Sequence, residues 1–307
     1  MKFIDYLAYG EIACALAGWA VGLGGIITGQ AAILQYLYFF AWYPYIIFLD
    51  SLLFRLRGES WLLSRPRGFL KLWLWSTTVW LVFEALNLSL KNWGYVAVVP
   101  IWWVRWAGYV LAFATVLPGV LLTAAVIEAL GAFKAIKGRS FTLGAWQPGA
   151  LLIGVACLVL PLVWPRYAFP LVWGAFFFLL DPWCDLMGGD SLIRSFMAGE
   201  RRQHLCLLAA GLICGLWWEA WNWFAITKWV YTLPVLGFGK VFEMPILGYL
   251  GFPPFALQAA VMYNFLRTLD DKVLNTPRRQ RIFWLAQGIF WLVMFAAMDA
   301  WTVISYQ

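Results

Sequence analysis

Long apolar runs alternate with short polar breaks along this chain, and each run is about long enough to cross a bilayer. A hydrocarbon core of about 30 Å needs roughly 20 apolar residues in a helix. Nine stretches qualify: 6–28, 31–54, 69–90, 102–127, 149–165, 168–188, 204–226, 246–267 and 282–304. The fifth, between Pro148 and Pro165, is the shortest. The pattern predicts an all-α fold, a polytopic transmembrane bundle whose lipid-facing sides need no polar cover.

Composition agrees with the pattern. Apolar residues make up 64% of the chain and charged ones 12%, against about 25% charged in soluble domains. A soluble core of this length could not enclose so much apolar surface. The 22 Trp and 13 Tyr suit membrane–water interfaces, where rings with one polar atom collect. Lys2 precedes the first run, which is too long for a cleaved signal and reads as a span.

The basic residues give an orientation. Lys2 and the breaks at 55–71, 134–139, 194–202 and 267–281 hold 17 of the 22 Lys and Arg, and Lys91, Arg105, Arg166, Lys228 and Lys240 are the rest. The two groups alternate at every span, as the positive-inside rule requires. The N-terminus is therefore expected in the cytoplasm and the C-terminus outside, in a bacterial-type inner membrane. The net charge of +7 then reflects topology and anionic lipid heads and calls for no nucleic acid. The five cysteines lie scattered in apolar runs, as packing residues do. No metal motif or cofactor is expected. One histidine, His204, is too few for haem or di-iron ligation in helices. Gly22-Leu23-Gly24-Gly25 ends a spanning helix without a βαβ context and suits close helix packing.

The pattern also restarts. Glu84-Ala85-Leu86-Asn87 matches Glu219-Ala220-Trp221-Asn222. Upstream, Asp50 with Gly58-Glu59-Ser60 matches Asp181 with Gly189-Asp190-Ser191. Downstream, Lys91-Asn92-Trp93-Gly94-Tyr95 matches Lys228-Trp229-Val230-Tyr231. This predicts a first repeat at 1–140, a second at 141–281 and an added helix at 282–307. Four spans per unit return the chain to its starting side, so the copies are expected to be parallel about an axis along the membrane normal.

Ionisable groups inside spans are costly and mark function by default. Glu84 and Glu219 fall about two-thirds of the way along their helices, each with an Asn at i+3 on the same face. The amide is expected to hold the carboxyl, and the surrounding Trp and Phe to penalise its charged form. An oriented carboxylic acid of that kind can donate a proton to an apolar substrate. The competing reading is interhelical glue. Glu243, in Lys240-Val241-Phe242-Glu243-Met244-Pro245, is a third candidate acid beside an ordered Gly- and Pro-rich turn. Asn87, Asn222, Trp218, Trp221, Trp229, Tyr231 and Tyr249 are the candidate binding residues. Asp50, Asp181 and Asp185 precede basic breaks and are expected to pair with Arg55, Arg57 or Arg194, and Glu128 with Lys134.

With the two Glu-Ala-x-Asn segments and Phe242-Glu243-Met244-Pro245, the duplicated unit resembles the lycopene cyclase domain family. It is also similar to small transmembrane terpene cyclases and carotenoid hydratases. The resemblance implies an intramembrane acid that protonates an isoprenoid double bond while aromatic rings stabilise the carbocation. The paired Pro-Glu-Glu acids associated with carotenoid cyclases are missing. The expected activity is cyclisation, hydration or isomerisation of an isoprenoid or carotenoid-like lipid. A lipid or small-molecule carrier and a structural subunit with membrane-protein partners are the alternatives.

Overall fold

The computed structural model describes residues 3–233 and 239–307, so Lys2 and part of the 228–245 loop lie outside it. Among the described residues, nine helices are long and apolar enough to cross a membrane. They are α1 (Phe3–Thr28), α2 (Leu37–Arg57), α3 (Pro66–Leu90), α4 (Trp102–Ala129), α5 (Trp146–Val163), α6 (Pro165–Leu186), α7 (Arg202–Phe224), α8 (Ile246–Lys272) and α9 (Pro277–Trp301). The protein is an all-α, multi-pass integral membrane protein. Its only extended segments among the described residues are short: β1 (Trp93–Val96), β2 (Lys228–Tyr231), β3 (Lys240–Val241) and β4 (Met244–Pro245).

The centre of the bundle is formed where α2, α3, α4, α7 and α8 meet, with α6 packed on α8. Trp42, Phe83, Leu117 and Leu122 are fully enclosed there. Helix α1 lies outside against α2, α5 outside against α6, and α9 outside against α3. Close approach depends on small residues. A Cβ on Gly215 would sit 2.2 Å from the Phe252 ring, and one on Gly211 2.4 Å from the Phe252 carbonyl oxygen. Gly22 and Gly25 do the same for α1, against Phe40 and Ile33, whereas Gly24 faces open space.

Two aspartates fix the turns that follow α2 and α6, and neither forms the ion pair expected of it. Helix α2 stops at Gly58, whose φ of 74° suits a residue without Cβ. The chain then bends back over Asp50, which accepts from Ser60 Oγ and from Trp61 N at 2.7 Å. Asp181 accepts from Ser191 Oγ at 2.5 Å, Leu192 N at 2.7 Å and Ile193 N at 3.0 Å. Both carboxylates are fully buried, so satisfying backbone N–H groups wins over reaching a solvated arginine. Asp185 does pair with Arg194. Glu128 pairs with Arg57 at 3.5 Å and Arg202 at 3.6 Å in place of Lys134.

These pairs, with Lys71–Asp270 at 2.5 Å, join the ends of α2, α3, α4, α7 and α8 at what we term the basic end. At the other end β1 and β2 form an antiparallel ribbon, with Trp93 opposite Tyr231 and Tyr95 opposite Trp229. The segment after α9 runs beside β1, its Ile304 N donating to Tyr95 O at 2.7 Å and Tyr95 N to Thr302 O at 2.8 Å.

Candidate active site at the ribbon end

The site follows from how α3 and α7 end. Asn87 lies one turn before the end of α3, where carbonyl and N–H groups would otherwise lack partners. Its Oδ1 accepts from Asn92 N at 2.8 Å, and its Nδ2 donates to Trp93 O at 2.9 Å. Asn222 does the same after α7, accepting from Trp229 N at 3.0 Å and donating to Trp229 O at 2.9 Å. The sequence suggested that these amides hold the carboxyls three residues earlier. Their shortest bonds go to the strands, because the backbone turning away from each helix offers a donor and an acceptor together, and Asn87 also stays within reach of the Glu84 carboxyl.

Pinning the strands brings alternate side chains, which share one face of a strand, back over each helix. Glu84 Oε1 accepts from Tyr95 Oη at 2.6 Å and from the indoles of Trp93 and Trp80, each at 3.0 Å. Glu219 Oε1 accepts from Tyr231 Oη at 2.7 Å, and Trp229 Nε1 donates to that same hydroxyl at 3.0 Å. In both carboxyls Oε2 is buried without a hydrogen-bond partner among the described residues. Glu84 sits six residues before Leu90 and Glu219 five before Phe224, about 9 and 7.5 Å inside the helix ends at 1.5 Å per residue. Burial, and then the neighbouring carboxyl, holds the hydroxyl pKa of Tyr95 and of Tyr231 well above the usual tyrosine range. Both phenols therefore stay proton donors.

The two carboxyls differ in what lies beside them. A cavity of about 220 Å³ opens under the ribbon, and Glu219 is on its wall together with Trp218, Trp229 and Tyr231. Glu84 is not on that wall. It is screened by Trp80, Trp93 and Tyr95, which are. Further rings come from Tyr38, Tyr109, Trp173 and Phe255, and partly exposed Tyr36, Val104 and Gly108 line the side between α2 and α4.

The other candidates lie off the cavity. Asn87 and Asn222 are committed to the strands. Trp221 packs on Trp42, with ring centroids 4.8 Å apart, and stacks on Trp217. Tyr249 donates to Val241 O at 3.0 Å, and Glu243 pairs with Lys228 at 2.8 Å. The turn carrying Glu243 is ordered, with β3 paired to β4, and its acid is neutralised there. Sequence reasoning missed Asp299 of α9. It takes both Nε and Nη2 of Arg105, at 2.7 and 2.5 Å, and the Trp106 indole at 2.8 Å. Arg105 is on the cavity wall, so α9 supplies its counter-charge. An aspartate inside an otherwise apolar span was the available signal. Tyr38, which accepts from Trp218 Nε1 at 3.1 Å and lies within 3.2 Å of Thr115 Oγ1, was missed because one Tyr among many carries no motif.

Among the described residues no group of His, Cys, Asp and Glu is placed to hold a metal ion. No family model, curated protein or solved structure matches the chain.

Proposed function

We propose that this protein is an intramembrane enzyme that protonates the end group of a long apolar lipid, of isoprenoid type, with Glu219 as the acid. The observation that carries the reading is Glu219 among the residues on the wall of an aromatic cavity, its Oε1 fixed by Tyr231 and its carboxyl further approached by the Trp229 indole and the Met244 backbone N–H. Held in that way, a protonated carboxyl is positioned by its neighbours rather than by water, which is what a general acid needs. Ring faces around the cavity would stabilise a carbocation by roughly 0.5–2 kcal/mol each. Pockets for drug-sized ligands run to about 300–1,000 Å³, so about 220 Å³ suits an end group whose tail leaves toward the lipid, between α2 and α4.

The chemistry closes without a redox partner. The carboxyl proton adds to one carbon of a double bond, forming a C–H bond and leaving a cation on the other carbon. The carboxylate left behind recovers a proton from a neighbouring carbon as the new double bond forms. The product is an isomer or a cyclised isomer of the substrate. Glu84, with three donors on one oxygen and rings between it and the cavity, serves as a support for the wall.

The same reading includes duplication. It is supported by the matching bonds of Asp50 and Asp181, of Asn87 and Asn222, and of Tyr95 and Tyr231. It is further supported by the antiparallel ribbon, whose register is symmetric about Gly94 and Val230. With the charge pattern, it puts the ribbon end outside and the basic end in the cytoplasm.

Purified protein incubated with extracted isoprenoid lipids in D₂O is the test. Deuterium is expected in the recovered lipid with the unaltered chain and with Glu84→Gln, and not with Glu219→Gln. Incorporation by Glu219→Gln equal to that of the unaltered chain, or its loss only in step with folded yield, overturns the proposal. Fusion of a reporter active only in the cytoplasm to the loop at 134–139 checks the orientation.

A further inference from the structure

A second cavity, about 610 Å³, lies near the basic end between α5, α6 and the start of α7. It shares no lining residue with the cavity at the ribbon. Its walls are apolar, with Trp146, Ile153, Phe177, Phe196 and Leu208 prominent, and no charged side chain among the described residues lines it. The exception to this apolar lining is His204, which is 7% exposed. Its Nε2 lies 2.9 Å from the Leu192 carbonyl oxygen. A carbonyl can only accept, so Nε2 carries a ring hydrogen, and in the neutral ring Nδ1 then carries a lone pair. That Nδ1 is buried without a partner among the described residues, an arrangement native proteins rarely leave in place.

We infer that this cavity is a binding site for a neutral lipid alcohol: the wall residue His204 shifts enough to bring Nδ1, otherwise closed off, to the hydroxyl, which donates to it, while the chain lies along the aromatic and aliphatic walls. The single acceptor asks for a single donor. The absence of charge on the walls excludes an ionised head, which would be buried without a counter-ion. The volume falls within the range that binds a ligand of substantial size, about 300–1,000 Å³.

His204 is the only histidine in the chain, so protein labelled with ¹⁵N-histidine reports on this ring alone. In a micelle of an amine-oxide detergent, which has no hydroxyl of its own, oleyl alcohol is expected to move the Nδ1 resonance upfield, saturably. Oleyl methyl ether, with the same chain and no donor, is expected to leave it in place. A resonance unmoved by the alcohol, including one already held in the hydrogen-bonded position by water, overturns the inference, as does an equal shift with the ether. Retention of tritiated oleyl alcohol should fall about tenfold in His204→Phe, the size of one good hydrogen bond. Retention equal to that of the unaltered chain would count against the site. The resonance test needs no substitution and so stands whether or not that variant folds.

Discussion

Replacing Glu84 by alanine separates a supporting carboxyl from a reacting one. The substitution leaves three donors, the partly buried Trp80 and Trp93 indoles and the buried Tyr95 hydroxyl, without their shared acceptor. Side-chain hydrogen bonds inside membrane proteins average about 0.6 kcal/mol and reach about 1.7, so three lost together cost about 2–5 kcal/mol. Glu219→Ala removes one bond of that quality, from Tyr231, with the Trp229 indole and the Met244 N–H as weaker neighbours, and should cost less. The Tyr231 hydroxyl can also turn toward the cavity it already lines. Glu84→Gln keeps an oxygen for all three donors and should lie close to the unaltered protein. The assay is reversible unfolding in mixed micelles followed by tryptophan fluorescence, with all three variants at one lipid composition. Equal destabilisation by Glu84→Ala and Glu219→Ala, or none by Glu84→Ala, would refute the division of roles between the two acids.

Three further outcomes follow from the packing and the charges. Gly211→Ala and Gly215→Ala drive a Cβ against Phe252 and should destabilise by about 1–3 kcal/mol, while Gly24→Ala, which meets nothing within 4 Å, should leave the melting temperature unchanged. Arg105→Lys keeps the charge but loses the two-pronged grip on Asp299, so protease should cleave the segment after Trp301 faster than in the unaltered chain. The raised pKa values of Tyr95 and Tyr231 mean that the folded state binds their protons more tightly than the unfolded state. The resulting stability is complete below the ordinary tyrosine pKa of about 10 and is lost as pH rises above it. The Tyr95→Phe, Tyr231→Phe double variant should show a shallower alkaline decline in an unfolding series across that range.

Much of the architecture was open to reading because lipid imposes one simple rule. A run of about 20 apolar residues has few alternatives to a spanning helix, and so the nine helices fall where the apolar runs lie. The small glycines at the end of the first span likewise announce close packing, and Gly22 and Gly25 do lie against neighbouring side chains. The acids were harder to assign. Asp50 and Asp181 stand beside arginines in sequence, yet their partners are a serine hydroxyl and the N–H groups of a turn ten to twelve residues on, whose return path no local pattern announces.

Sequence by itself determined that the chain spans a membrane, where the helices lie, and that Glu84 and Glu219 deserved suspicion. Hydrophobic length and the cost of burying a carboxyl are properties of short segments and are legible there. Only the tertiary structure decided what separates those two acids. Glu84 is walled in by Trp80, Trp93 and Tyr95, and Glu219 is itself one of the residues on the cavity wall. The same is true of Asp299, which meets Arg105 from 194 residues away. The physical reason is that access to a cavity and pairing across the bundle depend on which helices become neighbours. Apolar runs in lipid are nearly interchangeable in hydrophobicity, so that choice is made by side-chain packing and a few buried hydrogen bonds.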